Sequence, residues 1–170
     1  MSLLVDSNNR PRHTLRALWD VAQMEDASEW EVLSFWRYLL SKHAFEEEYW
    51  IVDHGIRYVE QGNENRIAVL LWHEAKRGES MSEQKECEDQ ALQACQEYLQ
   101  RHAWQTELYA MTTLRTKAKI WSYDKIAQVL VALYDDHYVE ANSSEGIQLK
   151  MCFERTKTYA SRMAQTCILK

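Results

Sequence analysis

The sequence is poor in the residues that form tight turns. It contains four glycines and one proline among 170 residues, about 3% where average proteins have roughly 12%. This scarcity excludes collagen-like, linker-like and proline-rich disordered chains, and it disfavours an all-β sandwich or propeller. Hydrophobic residues nevertheless make up 46% of the chain, with seven tryptophans and nine tyrosines. A single domain with a substantial core is therefore expected.

Membrane, zinc-binding and broadly basic signatures are also missing. No apolar run approaches the roughly 18 residues that cross a bilayer, and the start of the chain is too short for the apolar region of a signal peptide. We therefore expect an intracellular protein with no membrane partner. The four cysteines form no C-x-x-C or zinc pattern, which indicates reduced, mostly buried thiols. The net charge of −6 leaves only a local basic patch to bind nucleic acid.

Hydrophobic spacing predicts a mixed α/β protein. Apolar residues at every third or fourth position predict helices over 13–24, 28–44 and 82–103 and from Asn142 onward. Runs of β-branched and aromatic residues predict strands over 49–60, 66–73, 107–114 and 116–123. The segment 125–134 fits a helix or a strand. This order of elements is typical of layered α/β folds.

Three local signals refine this outline. Pro11 and its polar neighbours predict a loose N-terminal segment over 1–12. Ser28 and Glu31 form a capping-box pattern at the start of the second helix. The last helix carries apolar residues at multiples of four positions, which are expected to share a face: Ile147, Met151, Tyr159 and Met163.

The strand over 66–73 runs directly into charged residues. Glu74 and Lys76 are two positions apart, so they point to the same face of a strand. Asp53 lies on the preceding predicted strand, and an antiparallel pair would bring it alongside them, register permitting. Two carboxylates and the Ala75 carbonyl supply the hard oxygen ligands that Mg²⁺ or Mn²⁺ prefers. Such a cation with a nearby lysine suits phosphodiester hydrolysis.

These motifs, in this order, resemble the PD-(D/E)XK nuclease superfamily. The resemblance is carried by the strand with Asp53, the strand ending in Glu74-x-Lys76, a Gln-rich amphipathic helix and the strand sequence over 109–123. It covers roughly 28–123. In detail the sequence is similar to nuclease-like domains found mainly in fungal sequences.

The resemblance implies a restriction-endonuclease-like αβββαβ core, with a mixed central sheet flanked by helices. Residues 1–170 would then form a single nuclease-like domain. Its core would span 28–123, and 124–170 would be a C-terminal extension.

The resemblance also implies roles for particular residues. Asp53 and Glu74 would hold Mg²⁺ or Mn²⁺, Lys76 would be the catalytic lysine, and Glu31 would be an additional acidic ligand. The implied function is a metal-dependent nuclease acting on DNA or RNA. The alternative is a catalytically inactive member of the same fold that binds a protein or a nucleic acid.

A short basic stretch offers the best local contact for phosphates in this acidic chain. Arg115, Lys117 and Lys119 alternate with less polar residues, so in a strand they would share one face. Gln93, on the helix after Lys76, is a further candidate for nucleic-acid binding. An ordinary charged face is the alternative for both. The many aromatic residues also leave a homodimer or a protein partner open.

Overall fold

A computed structural model of the chain describes residues 1–47, 49–59 and 67–168. The helices in these ranges are α1 (His13–Ala22), α2 (Glu29–Leu39), α3 (Met81–Arg101) and α4 (Gly146–Ile168). The strands are β1 (Trp50–Val52), β2 (Gly55–Val59), β3 (Ile67–Lys76), β4 (Tyr109–Leu114), β5 (Lys117–Asp124), β6 (Val129–Ala132) and β7 (Val139–Glu140). The predicted mixed α/β class is therefore confirmed.

The strands form one mixed sheet. Their order is β1-β2-β3-β4-β5-β6, with β7 beside β5. Strands β3 and β4 are parallel, and the other pairings among the described strands are antiparallel. Parallel neighbours need a long crossover connection, which the 21 residues of α3 provide.

Helices cover both faces of this sheet. On one face, α3 packs through Ala91, Cys95 and Leu99 against the strands. On the other face, α1, α2 and α4 enclose the larger core, which includes Trp36, Ile56 and Phe153. Coverage of both faces explains why β3 reads as a nearly unbroken apolar run.

The predicted strand over 49–60 is wrong as a single element, because it forms the hairpin of β1 and β2. Asp53 and His54 make the turn, in which the Asp53 backbone N–H donates to the Gly55 carbonyl at 3.1 Å. Gly55 is required beside β3, since a Cβ there would lie 2.3 Å from the Leu71 carbonyl oxygen. Glu60 and Arg66, which end and begin predicted strands, lie outside the described residues.

The N-terminal segment over 1–12 is packed, where the sequence indicates a loose one. Leu4 is buried in the larger core, and Val5 forms an isolated bridge with Pro11. The backbone N–H of Leu3 donates to the Ala141 carbonyl at 2.9 Å. These contacts fix the segment against the start of α4.

The C-terminal third resolves two further expectations. The ambiguous segment over 125–134 contains the edge strand β6. The residues predicted to share a face of α4 differ in burial, because Ile147 and Met151 are exposed whereas Tyr159 is buried. A step of four residues turns a helix by about 400°, so residues at multiples of four drift around it. The described buried side chains of α4 are Leu149, Cys152, Phe153, Thr156, Tyr159 and Ala160.

Two further predictions concern the state of the cysteines and membrane-spanning helices. Cys87, Cys95 and Cys152 are buried free thiols, as expected. The side chains of Cys167 and Met163 lie outside the described part. No helix in the described ranges has the length and apolar character needed to cross a membrane.

Candidate functional site

The end of β3 forms one wall of an open groove against α3. Glu74 and Lys76 both line this groove, as their spacing predicts. The opposite wall consists of α3 residues, including Gln93, and Glu29 of α2 closes one side. The groove has a volume of about 430 Å³. It is the place where the predicted Glu-x-Lys motif meets solvent.

Asp53 lies in the turn between β1 and β2, before the strand that pairs with β3. Gly55 pairs with Trp72, and the next step is continued by the His73 N–H, which donates to the His54 carbonyl at 3.1 Å. Asp53 itself precedes β2 in the turn, where its N–H donates to the Gly55 carbonyl as the chain comes from β1. Strand β1 lies on the edge of β2 that is opposite to β3. The described pairings therefore do not set Asp53 opposite Glu74.

The side chain of Asp53 is engaged elsewhere. One carboxylate oxygen accepts a hydrogen bond from the His54 N–H at 2.7 Å, and the other is paired with the Arg57 guanidinium. The pair is about one-third exposed on each side. Asp53 is consequently outside the lining of the groove in the described structure.

The two charged groups from β3 also have partners. Lys76 Nζ donates to Glu86 Oε1 at 2.9 Å, and this hydrogen bond raises the pKa of Lys76 above its usual value. Glu74 Oε1 accepts a hydrogen bond from Trp72 Nε1 at 2.7 Å. Lys76 is therefore held as a cation, and Glu74 is oriented by the indole beside it.

Two glutamates of α2 make different contacts. Glu31 closes the capping box: its Oε2 accepts from the Ser28 backbone N–H at 2.7 Å and from the Ser28 hydroxyl at 2.8 Å. These hydrogen bonds lower the pKa of Glu31. Glu29 instead lines the groove, and its charge contributes to the raised pKa of Lys76.

Glu29 is thus a site residue that the sequence reasoning missed. The signal was present in the capping box itself, which commits the Glu31 carboxylate to the helix end. Residues two positions apart on a helix lie about 200° apart. A cap at Glu31 therefore directs Glu29 towards a different neighbour.

Amide side chains line the α3 wall of the groove. Gln93 Nε2 donates to Glu97 Oε1 at 2.9 Å, and Gln90 Nε2 donates to Glu86 Oε1 at 3.2 Å. Both amides are oriented by carboxylates one helical turn away. The predicted position of Gln93 in the site region agrees with this geometry.

Arg115 does not belong to the predicted basic strand face. It lies in the turn before β5, with a φ of 53°. Its guanidinium donates to the Arg77 carbonyl at 2.9 Å and to the Gln23 carbonyl at 3.2 Å. The prediction of three cations on one strand face is wrong for Arg115, because the chain turns there and the side chain caps backbone carbonyls.

Lys117 and Lys119 do lie two apart on β5, but their surroundings differ. Lys117 is half-exposed and paired with Glu79. Lys119 is 2% exposed, with Nζ bonded to Asp136 and 4.1 Å from the centre of the Trp121 ring. Lys119 is accordingly enclosed in the described structure rather than presented on a surface.

The donors at this end of the sheet are suited to a hard divalent cation. The described residues contain no group of three or more His, Cys, Asp or Glu side chains already arranged around a metal position. Glu74 and Glu29, which line the groove, offer only oxygen atoms, which Mg²⁺ and Mn²⁺ prefer. Mg²⁺ commonly uses one or two protein carboxylates and keeps several waters. The residues present therefore fit such a cation.

Comparison with known proteins does not add a family to this geometry. No protein-family model, no curated protein and no solved structure matches the chain. The residues of the groove, and the topology that positions them, are therefore the evidence for a function.

Proposed function

We propose that the protein is a divalent-cation-dependent nuclease that hydrolyses phosphodiester bonds of DNA or RNA in the groove beside β3. One observation carries the proposal. Glu74 and Lys76 project from the end of β3 into the same open groove, and Glu29 of α2 lines it beside them. The element order α2-β1-β2-β3-α3-β4, with β3 and β4 parallel, supports a restriction-endonuclease-like αβββαβ core.

Asp53 and Glu74 would hold Mg²⁺ or Mn²⁺ in this function. When bound, the cation would supply positive charge at the scissile phosphate and lower the pKa of a bound water. To hold the cation, Asp53 would have to give up its contact with Arg57. Because that pair is partly exposed, it stabilises the fold by about 1 kcal/mol at most. This cost is small beside a carboxylate–metal bond.

Lys76 stabilises the negative charge that develops on the phosphate. Its hydrogen bond with Glu86 and its raised pKa keep the ammonium charged at neutral pH. Glu86 is largely exposed, so a phosphate oxygen can replace it at a cost of about 1 kcal/mol or less. Glu86 thus keeps the lysine in place until substrate arrives.

The test is a cleavage assay with labelled single-stranded and double-stranded DNA and RNA in Mg²⁺ or Mn²⁺. We expect cleavage that is abolished by chelation and reduced at least about 100-fold by Lys76→Ala. The matched control is Lys85→Ala, which removes the same charge from an exposed position on α3 and should retain activity. Absence of cleavage on every substrate, or equal rates for Lys76→Ala and wild type, would contradict the proposal.

A second candidate is the catalytically inactive nuclease fold that binds a protein or a nucleic acid. It is favoured by one observation, that Asp53, Glu74 and Lys76 each have a protein partner in the described structure. Calorimetric titration with Mn²⁺ distinguishes the two candidates. Binding that is lost in Glu74→Gln, but kept in Glu154→Gln on α4, supports the nuclease. Absence of any Mn²⁺ binding supports the inactive form.

A further inference from the structure

A small pocket lies on the other side of the sheet from the groove. It is enclosed by the N-terminal segment, the C-terminal end of α2 and the first turns of α4, and its volume is about 140 Å³. An apolar cavity of about 150 Å³ accommodates benzene. The apolar part of its lining is Leu3, Val5, Leu39, Ala44, Ile147 and Phe153.

The pocket exists because α2 does not end as a regular helix. It runs into a π-helical turn over Leu40–Ala44, in which the Phe45 N–H donates to the Leu40 carbonyl at 2.7 Å. This wider turn brings His43 and Ala44 to the pocket wall. Single π-helical turns are uncommon and are frequently found at functional sites.

The rim of the pocket carries two cations without partners. Neither the Arg12 guanidinium nor the Lys150 ammonium has an ion pair or hydrogen bond within the described ranges, and both line the pocket. The rim anions are already engaged. Asp6 accepts hydrogen bonds from two backbone N–H groups of its own loop, and Glu154 is paired with Lys157 at 3.3 Å.

We propose that this pocket binds a small carboxylate with a compact apolar body, of about the size of benzoate or hexanoate. The apolar body would pack on Phe153 and Leu39, and the carboxylate would lie between Arg12 and Lys150. The size of the pocket, its apolar floor and the two unpartnered cations carry this assignment. It is independent of the proposed nuclease activity, which belongs to the opposite face of the sheet.

His43 contributes shape to the site rather than charge. Burial and the neighbouring Arg12 lower the pKa of His43, against the opposing influence of Glu46. The imidazole is therefore neutral at pH 7. The anion is held by the guanidinium and the ammonium, and the imidazole offers a neutral polar edge.

The experiment is a titration of the ¹⁵N-labelled full chain followed by NMR. The probes are benzoate, benzyl alcohol and benzylamine, which share a ring and differ in charge. We expect benzoate to shift resonances of the N-terminal segment and α4, and to bind at least about tenfold more tightly than either other probe. Lys150→Glu and Arg12→Ala should each weaken benzoate about tenfold, whereas Lys85→Ala should not.

The outcomes separate cleanly. Equal affinity for benzoate and benzyl alcohol, benzoate binding that is insensitive to Lys150→Glu and Arg12→Ala, or no shift at tens of millimolar benzoate would each overturn the proposal. Lys150 is exposed on α4, so its substitution leaves the core intact. Lys76→Ala should leave benzoate binding unchanged, so failure of the nuclease proposal does not affect this test.

Discussion

The two ends of α2 reach different concave surfaces, the groove and the pocket, and the two ends differ in structure. At the N-terminal end, the capping box of Ser28 and Glu31 closes the helix regularly and leaves Glu29 to face the groove. At the C-terminal end, the helix widens into the π-helical turn, which has no side-chain cap and forms part of the pocket. The regular end of α2 therefore borders the charged groove, and its irregular end borders the apolar pocket.

The groove and the pocket therefore differ in what a ligand must displace in order to bind. In the groove, Lys76 and Glu74 already have hydrogen-bond partners, so a ligand must replace an existing contact. In the pocket, Arg12 and Lys150 have no such partner in the described structure, so a ligand has only to displace water. A ligand of the groove should therefore need a high charge. A ligand of the pocket should need only a single charge together with an apolar body.

The largest expected effect comes from a substitution that disrupts the pocket and leaves the groove unchanged. Phe153 is 2% exposed and packs edge-on against Phe45, with 5.9 Å between the ring centres. Phe153→Ala should lower the free energy of unfolding by about 3–5 kcal/mol, because it leaves a cavity in the core. Urea denaturation measures this loss. Benzoate affinity should fall with it, while cleavage in the groove per folded molecule should not change.

The control for that substitution is two residues away on the same helix. Met151 is 67% exposed. Met151→Ala should change the free energy of unfolding by about 0.5 kcal/mol or less. A similar loss in both variants would show that Phe153 does not fill the core as described.

A second, slightly smaller effect concerns the buried residue behind the groove. His73 is buried, its Nε2 is 3.1 Å from Thr113 Oγ1, and its Nδ1 has no described partner. Burial is the main reason that the pKa of His73 falls from 6.5 to about 4. Since the unfolded chain binds this proton first, stability is complete above pH 6.5 and is lost as the pH falls towards 4. The loss should reach about 3 kcal/mol.

The measurement is urea denaturation between pH 7.5 and 4, compared with His73→Gln. Other acidic groups titrate in the same range, so the relevant quantity is the difference between the two proteins. The wild type should lose more stability than the variant across this interval. An NMR titration in which the His73 imidazole gains its proton near pH 6.5 would contradict the prediction.

The smallest effect disturbs the groove end of α2. Ser28→Ala removes the N-cap and should lower the free energy of unfolding by about 1 kcal/mol. The Ser28 hydrogen bonds also lower the pKa of Glu31, so they stabilise the protein above the unfolded pKa of Glu31 and are lost as the pH falls through the folded value. The variant should therefore respond less to acid. Mn²⁺ binding should weaken through the displaced Glu29, and benzoate binding should remain.

Ser34→Ala is the matched control for this substitution. Its hydroxyl donates only to the Trp30 carbonyl, one turn back within the helix. We expect a change of about 0.5 kcal/mol or less. Equal effects of both serine substitutions, measured by urea denaturation, would rule out the capping box as the source of the stability.

Local signals predicted much of the fold. The Ser28 cap, the long helix α3 and the apolar strand β3 follow from spacing within a few residues, and the structure confirms each of them. The hairpin of β1 and β2 was missed because the residues on both sides of the turn favour strands and the turn at Asp53 contains none of the usual turn pairs. Gly55, immediately after the turn, was the available sign of a close approach.

The candidate site was predictable only where the backbone decides it. The spacing of Glu74 and Lys76 sets their common direction. The partner of Lys76 comes from α3, however, and that of Glu74 is the Trp72 indole on β3 itself. Alternation places Lys119 on a face, yet Asp136 and Trp121 decide that this face is enclosed. The pocket at Arg12 was not predictable either, because it requires the N-terminal segment to pack beside Ala141.

The buried cysteines report on the helix next to each surface, α3 for the groove and α4 for the pocket. Cys87 and Cys95 lie on the inner side of α3, behind the groove, and Cys152 lies on α4, next to the pocket floor. Burial raises the pKa of Cys87 and Cys95 to about 12 and that of Cys152 to about 11. A thiol reacts as its thiolate, so an alkylating reagent can modify these residues only after the helix opens. Their alkylation rates therefore time the local opening of α3 and α4 separately.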